Sequence, residues 1–343
     1  GARPVVSALR GFSAPVMLSR RLDDATRAFL LAHDTDPFAR WEAGRDLALS
    51  ALTAAAQGQT SGGDYVEAIG RLIADDTADP AFRALCLNLP GEEEIATRLS
   101  SAGITPDPDA IHAAREALAR QIAEAHLDLL SRLYDDMTVA GPYRPDAADA
   151  ARRSLRNAVL ALLTRIDGGD RAEILFGVAG NMTERIAALT ALLRRGRGQA
   201  ELAALGEEFA DNRLVMDKWF AIQPMAALPA QAAAVARALS QRKDFDWKNP
   251  NRFRALLGGL SANHAGFHAA DGSGYDFTAD WLLRMDPVNP QIAARMSTAF
   301  ETWTRYDAGR RAKALAALER IASAEGLSRN TREMVSRMIA AGA

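Results

Sequence analysis

Apolar residues recur at spacings of three and four along most of the chain, which places them on one face of a helix. Leu118, Ile122, Ala125, Leu129, Leu130 and Leu133 form one such stripe and predict a long helix from about Asp109 to Asp136. Leu155, Val159, Leu162, Leu163 and Ile166 form a second. Helix starts are marked by Asp36-Pro37, Asp79-Pro80, Asn249-Pro250 and Asn289-Pro290, each a capping side chain before a proline at the first helical position. Pro90-Gly91 precedes Glu92, Glu93 and Glu94, acids that suit the positive end of a helix dipole. Gly168-Gly169, Gly196 and Gly198 read as stops or turns. The pattern predicts about fifteen helices of roughly 8–25 residues with short connections. A single strand-like piece, Ala14-Pro15-Val16-Met17-Leu18, is too short to be a sheet alone.

No residue-by-residue repeat is visible, but the spacing of helix starts is that of stacked helix pairs. Asn249-Pro250 and Asn289-Pro290 stand about 40 residues apart, close to one two-helix repeat. The fold predicted is therefore all-α: a superhelical array of antiparallel helix pairs, an armadillo- or HEAT-like α-solenoid. An irregular helical bundle is the plainer alternative. No linker splits residues 21–343 into separate domains.

Composition narrows the function classes. The 343 residues are 48% hydrophobic and 24% charged, ordinary for a globular protein. Lys+Arg is 41 against Asp+Glu 43, for a net charge of −2. That balance argues against a nucleic-acid partner, which would call for a basic excess, and gives no reason to expect a membrane partner. No apolar run reaches the roughly 18 residues of a membrane helix. Arg3, Arg10, Arg20 and Arg21 interrupt the start, so no signal peptide is expected. Gly1 in place of Met fits a processed or excised segment of a longer chain. The single cysteine, Cys86, excludes an internal disulfide, and its setting in Ala84-Leu85-Cys86-Leu87 predicts a buried, inert thiol. A cytoplasmic location is expected.

A catalytic constellation is harder to find. None of the five histidines, His33, His112, His126, His264 and His268, stands in an H-E-x-x-H arrangement. His264 and His268 are spaced i, i+4, but Gly266 lies between them, so a helix end is favoured over a zinc pair. Asp75-Asp76-Thr77-Ala78-Asp79 spells the D-D-x-x-D string with which isoprenoid diphosphate synthases hold magnesium. Pro80 follows at once, which makes Asp79 the cap of the next helix, and no second acidic motif accompanies it. Gly11-Phe12-Ser13-Ala14-Pro15 has proline where a nucleophile elbow needs glycine. Asp271-Gly272-Ser273-Gly274 reads as a tight turn. No catalytic residue and no metal ligand is assigned.

The distinctive segments are polar-aromatic. They run Phe12-Ser13-Ala14-Pro15-Val16, then Leu214-Val215-Met216-Asp217-Lys218-Trp219-Phe220, then Asn249-Pro250-Asn251-Arg252-Phe253-Arg254. Phe267 to Tyr275, Asn289-Pro290-Gln291 with Arg295, and Arg305-Tyr306-Asp307 follow. In this order they resemble the C-terminal part of the bacterial aminopeptidase N family, gluzincin zinc metallo-aminopeptidases, over nearly the whole chain. The resemblance implies an enzyme that releases N-terminal residues from peptides with one zinc ion, held by the two His of H-E-x-x-H and a downstream Glu. A G-A-M-E-N segment grips the substrate's amino group. None of these motifs occurs here, so no cofactor is expected in this chain itself. The family's last domain is a superhelix of paired helices that covers the active site and encloses a substrate cavity. Residues 1–20 are then the junction with an upstream β-sandwich domain, and 21–343 the C-terminal helical domain. The implied partners are the catalytic and β-sandwich domains and peptide substrates.

The resemblance also sets the positions of Arg254, Gln291 and Arg295 facing the peptide cavity. Arg252, Arg254 and Arg295 fall in the first two turns of helices begun by Asn-Pro, where arginine opposes the dipole. Each therefore wants either an acidic partner or an anionic ligand such as a peptide carboxylate. Phe267 to Tyr275, Trp219 with Phe220, and Trp41 three residues after Phe38 read as structural packing. Two other functions stay open at this point: a free-standing helical scaffold that binds another protein, and an α-helical magnesium enzyme resting only on Asp75–Asp79.

Overall fold

A computed structural model describes residues 4–16 and 22–342. It is 72% helical, with nineteen α-helices and no strand among the described residues. In chain order they are α1 Asp24–His33, α2 Pro37–Ala56, α3 Gly63–Ala74, α4 Pro80–Leu87 and α5 Glu92–Ser101. Next come α6 Pro108–Ala125, α7 Leu127–Asp136, α8 Ala147–Asp167, α9 Asp170–Val178 and α10 Met182–Leu193. Then follow α11 Gln199–Glu208, α12 Arg213–Ala226, α13 Ala232–Ser240, α14 Pro250–Ala262 and α15 His264–Phe267. The last are α16 Ser273–Met285, α17 Pro290–Ser297, α18 Ala308–Ala322 and α19 Arg329–Ala340. The strand-like reading fails at residues 14–16, which form no strand, and Met17 and Leu18 lie outside the described residues.

The chain divides into two compact units, residues 1–98 with 110–191, and residues 99–109 with 192–343. In the first, α1 packs on α2 and α3, α4 on α2, α3 and α8, and α8 on α7 and α9. In the second, α12 packs on α13 and α14, α14 on α16 and α17, α16 on α17 and α18, and α19 on α17 and α18. These helices thus meet partners a few places along the chain, the contact habit of a repeat protein.

All four Asx-Pro signals start helices. The side chains of Asp36, Asp79, Asn249 and Asn289 accept backbone N–H bonds at the starts of α2, α4, α14 and α17. Between the last two lie three helices, because one-turn α15 interrupts the pair α14 and α16.

The predicted helix 109–136 breaks at His126 (φ −122°, ψ 27°) into α6 and α7. The His126 ring reaches across to α3, with Nε2 2.7 Å from the Val66 carbonyl oxygen, and lies against Gly70, where any Cβ would collide with it. A ring held across the unit tilts the helix that carries it. The break also turns Ala125 outward, and Ile166 ends the second stripe exposed, while Leu118, Ile122, Leu130, Leu133, Leu155, Val159, Leu162 and Leu163 are core.

In the second unit α12 and α14 approach at backbone distance. A Cβ on Gly259 would strike the Ala221 carbonyl oxygen. Asn263 seals the same contact, its amide donating to the Pro224 and Ala227 carbonyls at 2.9 Å each. Gly259→Ala should therefore cost about 1–3 kcal/mol, since the clash is with backbone that cannot rotate away. Urea unfolding measures this, and an unchanged midpoint would mean the two helices part freely.

Candidate functional site

The sequence-predicted site residues occupy α14 and α17, which pack together in the second unit. Arg252 has the acidic partner it wanted. It is buried, its Nε donates to Asp217 of α12 at 2.6 Å, and its Nη1 donates to the Asp244 carbonyl at 2.8 Å. Its guanidinium also lies 4.5 Å from the Phe220 ring centre. Arg252 is thus a clamp between helices.

Arg254, two residues on, points to the exposed side. It folds back on its own first turn, with Nε donating to the Pro250 carbonyl at 3.1 Å and Nη2 to Asn251 Oδ1 at 2.7 Å. Gln291 and Arg295 are one turn apart on α17 and both exposed. Among the described residues no carboxylate pairs with Arg295 and no hydrogen bond or ion pair joins Arg254 to Gln291 or Arg295. One premise needs correction. α17 has only eight residues, so Arg295 sits in its last turn, where a positive charge suits the dipole.

The other candidates are structural. Asp79 caps α4, while Asp75 ends α3 and pairs with Arg40 (3.4 Å) and the Thr77 hydroxyl (2.6 Å), so the D-D-x-x-D string is a helix junction. Its hydrogen bond from Thr77 chiefly holds the Asp75 carboxyl below its ordinary value, against the effect of burial. Cys86 is buried and its thiol is pushed up to about 12 by burial. Trp219 and Phe220 are core, with Trp219 Nε1 donating to the Leu202 carbonyl at 2.8 Å. Phe267 and Tyr275 are both buried and pack at 5.4 Å between ring centres. Trp41 packs on Phe38 with ring centres 6.0 Å apart, and it is half-buried beside a cavity.

His264 opens one-turn α15, His268 caps its end, and both are buried. His264 Nε2 lies 2.9 Å from Tyr306 Oη, and His268 Nδ1 lies 2.8 Å from Tyr275 Oη. Those nitrogens are committed to phenols, so this pair does not fit a zinc site. Burial, then the neighbouring His264, Arg305 and Arg310, hold the His268 pKa well below its ordinary value. Arg310 of α18 closes the cluster by donating to the His268 carbonyl at 2.7 Å. Sequence reasoning missed Arg310, because Arg310-Arg311 within a run of alanines looks like a solvated face. No group of three or more His, Cys, Asp or Glu side chains among the described residues is arranged to hold a metal ion.

Residues 24–340 match the family model described as "Domain of unknown function (DUF3458_C) ARM repeats". Aminopeptidase N of Caulobacter vibrioides is 41% identical over 98% of this chain and 39% of its own length. Aminopeptidase N of Escherichia coli is 35% identical over 98% of this chain and 40% of its own. The chain thus spans about two fifths of the curated relatives it matches. Among solved structures, Legionella pneumophila aminopeptidase A in complex with aspartic acid superposes with a TM-score of 0.88 at 26% identity, covering 99% of this chain and 41% of that one.

Proposed function

This chain belongs to the DUF3458_C family of ARM-repeat domains, and we propose that it serves as the C-terminal domain of a zinc-dependent aminopeptidase that releases N-terminal residues from peptides. The observation that carries the reading is its match, over 98% of its length, to C-terminal regions of aminopeptidase N. The zinc and the hydrolytic step belong to the catalytic domain of the full-length protein. This domain forms a wall of the substrate cavity, limits entry to small peptides and unfolded ends, and supports the catalytic domain. Its partners are the catalytic and β-sandwich domains and the peptide substrate. A cytoplasmic enzyme fits the lone, buried cysteine, and no helix among the described residues is long and apolar enough to cross a membrane.

Arg254, Gln291 and Arg295 hold the far end of a bound peptide in this reading. Their support is exposure, a shared helix pair and, for Arg295, the absence of a carboxylate partner among the described residues. In the full-length enzyme, Arg295→Ala should raise KM several-fold for a peptide with a free carboxylate, since a partly desolvated charge-assisted contact contributes about 1–3 kcal/mol. An aminoacyl anilide lacks that carboxylate and should be hardly affected. Arg254→Ala should have the smaller effect, because Pro250 and Asn251 already engage its guanidinium. Equal losses on both substrates, or a fall in thermal stability that accounts for the change, would make these arginines structural. Steady-state kinetics on the two substrates separates the outcomes.

A further inference from the structure

The first unit holds a cavity of about 140 Å³ that nothing in the preceding reading uses. Leu31 of α1, Ala48 of α2 and Tyr65 of α3 line it fully buried, and Asn88 adds one neutral polar side chain. At its edge Arg45 of α2 faces Glu94 of α5, and these are the only charged side chains among its described lining. They meet as a two-pronged pair, Nε to Oε1 at 2.8 Å and Nη2 to Oε2 at 2.7 Å. The Arg45 guanidinium also lies 5.1 Å from the Trp41 ring centre, which steadies it.

We propose that this cavity is a binding site for a free α-amino acid with an apolar side chain. Two features select that class. A cavity of about 150 Å³ lined by apolar side chains takes a benzene-sized guest, and the isobutyl group of leucine is of that order. Opposite charges side by side at the edge suit a ligand whose carboxylate and ammonium hang on one carbon. The carboxylate would take the Arg45 fork and the ammonium the Glu94 carboxylate. A purely apolar guest would leave the Arg45–Glu94 pair closed and gain nothing from it, and an internal peptide residue has neither charge to offer.

The existing ion pair does not bar entry. Its side chains are 43% and 27% exposed, and pairs at such exposure contribute little, so parting them is cheap. The ligand would replace one pair with two and fill the space beneath. This proposal is independent of the aminopeptidase reading, since it concerns binding to this chain without turnover.

Calorimetric titration of this chain with L-leucine tests it. Millimolar binding is expected, at least about tenfold weaker for N-acetyl-leucine, which lacks the ammonium, and for leucinamide, which lacks the carboxylate. Arg45→Ala and Glu94→Ala should each weaken leucine by about tenfold or more, and both sit at partly exposed positions that leave the core intact. No leucine heat up to about 50 mM would overturn the proposal. So would toluene binding as well as leucine with the capped forms undiminished, which would make this a plain apolar cavity.

Discussion

Replacing Arg310 by alanine should lower the stability of the second unit by about 2–4 kcal/mol. The side chain leaves α18 almost fully buried and spends its three nitrogens on three different groups. Nε donates to the His268 carbonyl at 2.7 Å, Nη1 to Asp307 at 2.8 Å and Nη2 to Asp109 at 2.5 Å. Burial works against its charge, but the Asp307 hydrogen bond and the charges of Asp109, Asp307 and Asp107 outweigh it and raise its pKa above the ordinary value. The magnitude follows from what truncation strands. Asp109 and Asp307 are 62% and 45% exposed, so water can take them over. The His268 carbonyl is buried and loses its donor, and α18 loses its tie to Asp109 at the start of α6. The loss is therefore expected below that of a fully buried charge left alone. Arg310→Lys should recover only part of it, because one ammonium cannot reproduce the planar fork. Arg337→Ala, removing an exposed i, i+4 pair with Glu333, should change little. Urea unfolding of the three variants is the measurement, and parity between Arg310→Ala and Arg337→Ala would sink the argument.

The contrast between those two arginines shows what a sequence carries. Helix starts were legible wherever a local rule acts alone: Asx-Pro at Asp36, Asp79, Asn249 and Asn289 needs only its own first turn to form a cap. The all-α class was legible for the same reason, since periodicity of apolar positions is local. What depends on a distant partner was not. His126 breaks its helix for a carbonyl on α3, and Gly70 makes room for the ring, a pairing that no spacing rule shows. Arg252 and Arg254 share a helix turn in the sequence, yet one meets Asp217 and the other faces outward. Only the position of α12 decides between them. Arg295 was misplaced on the dipole because the length of α17 had to be known. Gly266, between the histidines at 264 and 268, gave the helix end correctly, but the phenols that engage the rings come from Tyr275 and Tyr306.

His268 carries the remaining large effect, an acid instability that starts near pH 6.5. His268 is 3% exposed, with its ring 4.8 Å from that of His264 and 4.2 Å from that of Tyr306. Burial first, then His264, Arg305 and Arg310, make the imidazolium form costly in the folded state, so its pKa lies well below the ordinary 6.5. The unfolded chain takes up the proton near that ordinary value. A depressed folded pKa means that the contribution is fully present above 6.5 and is lost as pH falls below it. One proton taken up on unfolding corresponds to about 1.4 kcal/mol per pH unit, until the pH reaches the folded pKa. Each such step is a sizeable share of a typical stability of about 5–15 kcal/mol. Lowered carboxylates act in a separate window. Asp271, held down chiefly by its backbone hydrogen bond from Ser273, contributes above its ordinary 3.8 and loses that only as pH falls further. His268→Asn places an amide near Tyr275 Oη and removes the proton site. Its unfolding free energy, measured by urea at a series of pH values, should therefore fall less steeply between about pH 6.5 and 5 than that of the parent chain. Parallel curves over that interval would show that another group takes up the proton, and that the neutral imidazole of His268 is not what acid disrupts.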